Sequence, residues 1–289
     1  MGCCPEDGLV FLFGNPAAAY SCKTPNRYAQ PTMQTVLITL VACFASLLTF
    51  FSGFGLGTIL TPVFILFFPV EIAIALTGIV HLLNNFFKIS LVGKHINWKV
   101  GLRFGMTAVA GAIIGAELLL HISSSTPLYN YTLNEKIFSI TLIKLIISIL
   151  MIMFALFEVI PTLKKIQLDE NKLFIGGFVS GFFGGLSGNQ GALRSMFLLR
   201  CGLTKESFIA TGILIACAVD ITRLSVYFSR LSSINIQDNL SVLVTAILSA
   251  FAGAYIGSKL LKKITLGFVQ WAVTTMILLL AIGLGTGLL

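Results

Sequence analysis

Long, uninterrupted apolar segments are the feature that most limits what this chain can fold into. Two of them, Leu240–Leu261 and Leu266–Leu288, have the length of about 20 residues that a helix needs to cross a hydrocarbon core of ~30 Å. Inside lipid only helix bundles and closed barrels satisfy the backbone, and barrel strands alternate apolar and polar residues. The continuous runs therefore predict an all-α polytopic membrane protein.

The composition agrees with a lipid environment. Hydrophobic residues make up 56% of the 289 and charged residues only 10%, whereas a soluble domain carries roughly 25% charged residues. The net charge of +8 comes from basic residues at the ends of apolar segments, where cytoplasmic loops of membrane proteins carry them. We therefore expect the protein to associate with a lipid bilayer and not with nucleic acid. The sequence has no P-loop and no cysteines at metal or redox spacing, which predicts no metal, no cofactor and no ATPase.

The chain divides into full-length and broken segments. The full-length candidates are Ile72–Val92, Val100–Leu120, Ile137–Ile160, Glu206–Ser229, Leu240–Leu261 and Leu266–Leu288. Two other regions are interrupted by glycines, with Gln34–Phe51, a break at 52–57 and Thr58–Phe68 in the first, and Leu173–Phe183, a break at 184–191 and Ala192–Arg200 in the second. The arm after each break is only about 14–16 Å long as a helix, so it cannot span. Each region is therefore predicted to be a glycine-broken helical hairpin.

The two halves of the chain repeat one plan. Seven of ten positions are identical between segments 110–119 and 252–261, and Thr77-Gly78 recurs as Thr211-Gly212. Each half predicts a broken hairpin followed by three transmembrane helices, the kind of repeat found in secondary transporters. We expect repeat 1 at 33–160, a cytoplasmic linker at 161–172 and repeat 2 at 173–289, all in one integral membrane domain.

The basic residues predict the orientation of the repeats. If each hairpin enters and leaves on one side, the second repeat is inverted and twelve of the nineteen basic residues fall at cytoplasmic ends. Both termini and the loop Ser123–Glu135 are then external, and the protein is a multi-pass protein of the plasma membrane.

Residues 1–32 have no apolar run of spanning length. They are interpreted as a doubtful or disordered extension, with Met33 as the hypothetical biological start and a genuine tail as the alternative.

The glycine breaks are the candidate binding site. A helix that begins near mid-membrane presents amide N–H groups and the positive end of its dipole, which suits an anion. Glycines that only allow tight helix packing are the structural alternative, but buried amides beside them need partners. The predicted substrate-binding residues are Gly55, Gly57, Thr58, Ser187, Asn189, Gln190 and Arg194. Arg194 would lie in the first turn after the second break, where a guanidinium can bind an oxyanion or serve packing.

Other intramembrane polar residues lie on two helices. Asp220 and Arg223 share a helix face at i,i+3, and Asn85 and Lys88 occupy nearly the equivalent place in the first half. Charges at mid-bilayer are costly and are usually paired or functional. These four residues are therefore a coupling site or a structural ion pair. His81 lies on the same helix as Asn85. A core histidine whose hydrogen bonds are satisfied is a simpler interpretation of it than a proton carrier.

A short motif raises an enzymatic alternative. Gly185-Leu186-Ser187-Gly188 matches Gly-x-Ser-Gly, the nucleophile motif of rhomboid-type intramembrane proteases. That chemistry needs a histidine base, and all three histidines precede Ser187 in the other repeat. We therefore expect no enzyme activity.

The glycine breaks also carry a family resemblance. From Met33 to Leu289 the chain resembles the sulfite exporter TauE/SafE family, in the segments Gly53-Phe54-Gly55-Leu56-Gly57, Pro62, Thr77-Gly78, Gly93-Lys94-His95-Ile96-Asn97-Trp98, Gly181–Gly188 and Gly253/Gly257. It departs at Asn189, Gln190 and Arg194, where many members have glycines and an apolar residue. The resemblance implies export of sulfite, organosulfonates or related small anions. Residues and resemblance together predict a secondary transporter of a small anion, with a channel-like anion pathway as the alternative and the oligomeric state left open.

Overall fold

The computed structural model describes residues 31–52, 55–123, 126–133, 136–160, 172–230, 240–260 and 267–289. The first half of the chain contains α1 (Pro31–Ser52), α2 (Leu56–Ile65), α3 (Val70–Val92), a 3-10 turn (Gly93–His95), α4 (Trp98–Ser123), β1 (Tyr129–Leu133), β2 (Lys136–Ile140) and α5 (Leu142–Val159). The second contains α6 (Leu173–Ser187), α7 (Gly191–Leu198), α8 (Lys205–Arg230), α9 (Leu240–Leu260) and α10 (Gly267–Gly285). The predictions for residues 1–30 and for the linker at 161–171 lie outside the described residues.

Five of the described helices are long and apolar enough to cross a membrane. They contain the spans Met33–Phe50, Val70–His95, Trp98–Ser123, Lys205–Ser229 and Leu240–Lys259. Large apolar side chains such as Met106, Leu248 and Leu279 are more than 60% exposed, as expected of a surface that faces lipid. The predicted all-α polytopic membrane protein is confirmed.

The helix predicted at Ile137–Ile160 is wrong at its amino end. Residues 136–140 form β2, which pairs antiparallel with β1, and α5 begins only at Leu142. The side chain of Thr141 caps the helix by accepting a hydrogen bond from the backbone N–H of Lys144. Hydropathy could not separate strand from helix because the apolar residues run on from one into the other.

Lys144 follows the capping threonine and lies in the first turn of α5. Its ammonium donates to the carbonyl oxygen of Ser139, 3.1 Å away. Its contact is thus with the β-hairpin at the end of the helix.

The second broken segment is a helical hairpin. Its arms, α6 and α7, have 15 and 8 residues. The hydroxyl of Ser180 in α6 donates to the carbonyl of Gln190, and a Cβ on Gly176 would overlap the ring of Phe197 in α7. The chain after the break therefore runs back along α6.

Glycines allow matching helix pairs to pack closely in the two halves. A Cβ on Gly111 of α4 would overlap the backbone of Phe178 in α6, and one on Gly253 of α9 would overlap the backbone of Cys43 in α1. Gly111 and Gly253 are equivalent positions of the repeats, so each hairpin's first arm packs against the other half's long helix. Inversion of the second repeat relative to the first stays a prediction.

Candidate functional site

The two glycine breaks, 134 residues apart in sequence, lie against each other. A Cβ on Gly57, in the first turn of α2, would be 3.1 Å from the carbonyl oxygen of Gly188 and 3.4 Å from Oδ1 of Asn189. The backbone of each break passes through the left-handed region, at Gly55 (φ 108°) and at Gly188 (φ 78°). Glycine is needed there because L side chains disfavour that conformation.

A small cavity opens where the breaks meet. It has about 240 Å³ of space not filled by protein atoms, counting its open side. Its lining residues are Gly55, Gly57, Thr58, His81, Gly188, Asn189, Gln190, Gly191 and Arg194. Six of the seven predicted binding residues are in this set. Ser187 is the exception, and His81 and two glycines are additions.

Two helices begin at the cavity wall. Gly55 and Gln190 are the N-cap residues of α2 and α7, and neither helix has a side-chain cap. The first intrahelical hydrogen bonds run from Ile59 N to Gly55 O and from Arg194 N to Gln190 O. The first turn of each helix thus adds amide dipoles whose positive ends favour an anion.

Two buried arginines pack their guanidinium groups against glycines that occupy equivalent positions in the two sequence repeats. Nε of Arg194 lies 3.4 Å from the position that a Cβ on Gly212 would occupy. Nη2 of Arg223 lies 2.9 Å from the position that a Cβ on Gly78 would occupy. Arg194 is 3% exposed and Arg223 1%. The Thr-Gly pairs that revealed the repeat in the sequence therefore leave room for guanidinium groups.

Asp220 is held by groups from both repeats. Its Oδ1 accepts from Nε of Arg223 at 2.9 Å, and its Oδ2 lies 2.5 Å from Nδ1 of His81. Nδ2 of Asn85 lies 3.2 Å from the same histidine nitrogen. Since His81 lines the cavity, the network of Asp220, Arg223, His81 and Asn85 is directly connected to it.

Lys88 does not join this network in the described contacts. Its ammonium donates to the hydroxyl of Thr49 at 3.5 Å and lies 5.8 Å from the ring centre of Phe50. The side chain is 4% exposed. Of the four residues grouped from the sequence, three lie together and Lys88 lies between α3 and α1.

Several buried polar atoms at the breaks have no hydrogen-bond partner among the described residues. They are Oδ1 of Asn189, Oε1 of Gln190 and Nη1 of Arg223. Nη1 of Arg223 is also 2.9 Å from where a Cβ on Gly188 would lie. Buried polar groups are rarely left unsatisfied, so these atoms indicate a polar occupant between the breaks.

Ser187 has a structural position. Its hydroxyl donates to the carbonyl of Phe183 at 2.9 Å and accepts from the backbone N–H of Asn189 at 3.3 Å. His81 lies at the second break although it precedes Ser187 in the chain, so its place in the other repeat does not exclude it as a base. A protease nucleophile must bond to its base, and none of the described hydrogen bonds joins Ser187 to a histidine.

His81 was not among the predicted binding residues, because a satisfied core histidine was the favoured interpretation of its place in α3, whereas in the structure it lines the cavity. Asp220, its partner, is 139 residues away in sequence. A polar α3 face with His81 and Asn85 one turn apart was visible, but no local pattern links that face to α8. Tyr227 is another omission, because its hydroxyl donates to the carbonyl of Gly185 at the end of α6.

Comparison with known proteins adds a family to this geometry. The family model of the sulfite exporter TauE/SafE matches residues 38–284. No curated protein matches the chain, and no solved structure does. The match covers both glycine breaks, both Thr-Gly pairs and nearly all the described helices, and on that evidence this chain belongs to the sulfite exporter TauE/SafE family of membrane transporters.

Proposed function

We propose that this protein is a secondary transporter that exports a small anion, such as sulfite or an organosulfonate, across a plasma membrane. The anion binds in the cavity between the two glycine breaks. The single observation that supports this most is the contact of the breaks at Gly57 and Gly188, which brings two helix starts to one cavity lined by buried Arg194. Family membership supports the substrate class.

The chemistry of the lining suits an oxyanion. Arg194 offers a planar fork of N–H donors that matches two oxygens of a sulfonate or sulfite. Asn189 and Gln190 have amide groups that are 4% and 3% exposed, so they can bind the remaining oxygens without competition from bulk water. A metal or nucleotide is not required for any of these contacts.

The membrane potential can drive export. An inside-negative potential favours the exit of an anion by about 2.3 kcal/mol per charge per 100 mV. In the proposed orientation both termini are external, and the loop that contains Gly93–His95 is cytoplasmic. Because the membrane potential supplies the driving force, a uniport or an exchange mechanism suffices for export.

Arg194→Ala tests the site. Loss of a charge-assisted hydrogen bond to the anion costs about 1.5–3 kcal/mol, so the Kd for sulfite should rise roughly tenfold to a hundredfold. Arg194→Lys keeps the charge without the fork and should restore affinity only in part. Arg103, an exposed arginine of α4, provides the control, and Arg103→Ala should behave as wild type. Binding is measured by titration calorimetry and flux by sulfite efflux from proteoliposomes.

The same experiment separates the alternatives. Saturable, anion-selective efflux that Arg194→Ala removes supports a carrier with this site. Efflux that rises linearly with sulfite concentration favours a channel-like pathway. Wild-type binding and flux in Arg194→Ala would place the anion site elsewhere.

A further inference from the structure

The cavity has a second ionisable system in addition to the proposed anion site. Asp220 is 1% exposed and touches two basic side chains, Arg223 and His81. With its two oxygens committed to these partners, the carboxylate is stabilised in its charged form. His81 is the member of the network that lines the cavity. It is also the side-chain type that changes charge near neutral pH.

From this geometry we infer that His81, held by Asp220, is a proton-binding site that is loaded together with the anion and favours a divalent oxyanion. The inference rests on the proposed function and adds the charge of the substrate and the coupling ion to it. Nδ1 of His81 faces the acceptor Oδ2 of Asp220, so we assign the hydrogen of that bond to Nδ1, and the contact with Nδ2 of Asn85 is then not a hydrogen bond. The second proton then binds at Nε2, from water that enters the cavity.

The charges around the cavity explain why proton and anion would bind together. Arg194 and Arg223 contribute two positive charges and Asp220 one negative charge, so the net charge is +1 with neutral His81. Protonation of His81 raises it to +2, which matches a divalent anion. A buried excess of positive charge without an anion is costly, so each ligand favours the other, and the coupling is reciprocal.

The groups that face His81 come from three described helices. Asp220 and Arg223 belong to α8, Arg194 of α7 lines the same cavity, and Asn85 is the neighbour on α3 itself. The helix α2 contains no titratable residue. On α8 the thiol of Cys217 and the hydroxyl of Tyr227 are also buried, and the ammonium of Lys88 on α3 contacts Thr49 of α1. On the other described elements that pack against α3, Glu117 is half-buried, and the exposed titratable side chains are Lys94, His95, Lys99, Arg103, His121, Tyr255 and Lys259. Among these groups His81 is the one that both lines the cavity and contacts Asp220, so we expect it to gain the proton.

The sign of the pH dependence follows. A bound anion stabilises the protonated imidazole, so binding is tighter at low pH and weakens as the pH rises. For linkage to one proton, the Kd increases with pH by at most about a factor of ten per pH unit. A divalent anion that leaves with one proton carries out one net negative charge.

Two probes that do not titrate near neutral pH test this. Sulfate is a dianion and methanesulfonate a monoanion throughout the range of about pH 5.5–8.5 in which histidine changes its charge. Titration calorimetry of each probe, in two buffers of different ionisation enthalpy, measures the protons taken up per anion. We expect uptake approaching one proton with sulfate at the upper end of the range and less with methanesulfonate. Wild-type protein that binds sulfate without uptake and without pH dependence overturns the inference, whatever the variants do.

Variants assign the proton. His81→Gln should abolish proton uptake and the pH dependence of sulfate binding. His95, an exposed histidine, is the control, and His95→Gln should keep both properties. Uptake that persists in a folded His81→Gln protein overturns the assignment but leaves the anion site intact. Failure of both probes to bind wild-type protein overturns the proposed function and this inference together.

Discussion

Gly188 gives a direct test of whether Arg223 borders the anion. The residue has φ +78°, and a Cβ there would lie 2.9 Å from Nη1 of Arg223. Gly188→Ala therefore strains the backbone, at about 1–2 kcal/mol, and displaces the guanidinium from the second break. Gly202 separates these effects. It has φ +62° with no atom within 4 Å of its Cβ position, so Gly202→Ala imposes the backbone strain alone.

The expected magnitudes follow from these contacts. Both variants should lose about 1–2 kcal/mol of unfolding free energy, seen as similar shifts in thermal unfolding in one detergent. Only Gly188→Ala should lose affinity for sulfite. If the displacement removes one charge-assisted hydrogen bond, the loss is up to about 1.5–3 kcal/mol, or roughly tenfold to a hundredfold in the Kd measured by titration calorimetry.

Two outcomes would refute the reasoning. If Gly188→Ala binds sulfite as tightly as wild type, Arg223 does not contact the anion and serves only as the partner of Asp220. If Gly202→Ala loses as much affinity as Gly188→Ala, the effect comes from backbone strain and not from the guanidinium.

Two further predictions concern packing and orientation. A Cβ on Gly181 would overlap the carbonyl oxygen of Ala108, whereas one on Gly105 meets nothing within 4 Å; Gly181→Ala should therefore destabilise by about 1–3 kcal/mol and Gly105→Ala should stabilise by roughly 0.5–1 kcal/mol. Equal thermal unfolding of the two variants would argue against the close packing of α4 and α6. For the orientation, an impermeant thiol reagent added outside should label Thr126→Cys and Gln237→Cys but not Leu168→Cys or Leu203→Cys. Labelling of Leu203→Cys without Gln237→Cys would refute the inverted repeat.

Much of the cavity lining could be predicted from the sequence because it depends on local signals. Glycines that interrupt an apolar segment, next to Asn189 and Gln190, indicate both a helix break and buried polar groups. The offset of 134 residues between Gly57 and Gly191 then relates the two breaks. These residues share a cavity in the structure, while their binding of a substrate stays a prediction.

The remaining features depend on distant packing. Contact between His81 and Asp220 requires α3 and α8 to meet in one register, and no periodicity in either helix encodes that register. The strand at 136–140 was merged with α5 because both are apolar. Lys88 was grouped with Asn85 by its helix face, but the structure places its ammonium on Thr49 of α1.

The repeats supply a symmetric scaffold, and the charges on it are asymmetric. Gly78 and Gly212 each pack against a guanidinium, yet both arginines come from the second repeat. The position equivalent to Arg194 in the first repeat is Leu60, which is fully buried, and Asn85 lies one residue before the position equivalent to Asp220.

A fully symmetric pair of sites would present two equal anion positions and an unpaired positive charge in each. With Arg194, Arg223 and Asp220 all supplied by the second repeat, the two halves instead contribute different charges to the region of the cavity. In the proposed mechanism the first repeat contributes the proton site, His81, to that cavity. The contact between His81 of α3 and Asp220 of α8 in this mechanism therefore links the proton site of the first repeat to the charged residues of the second.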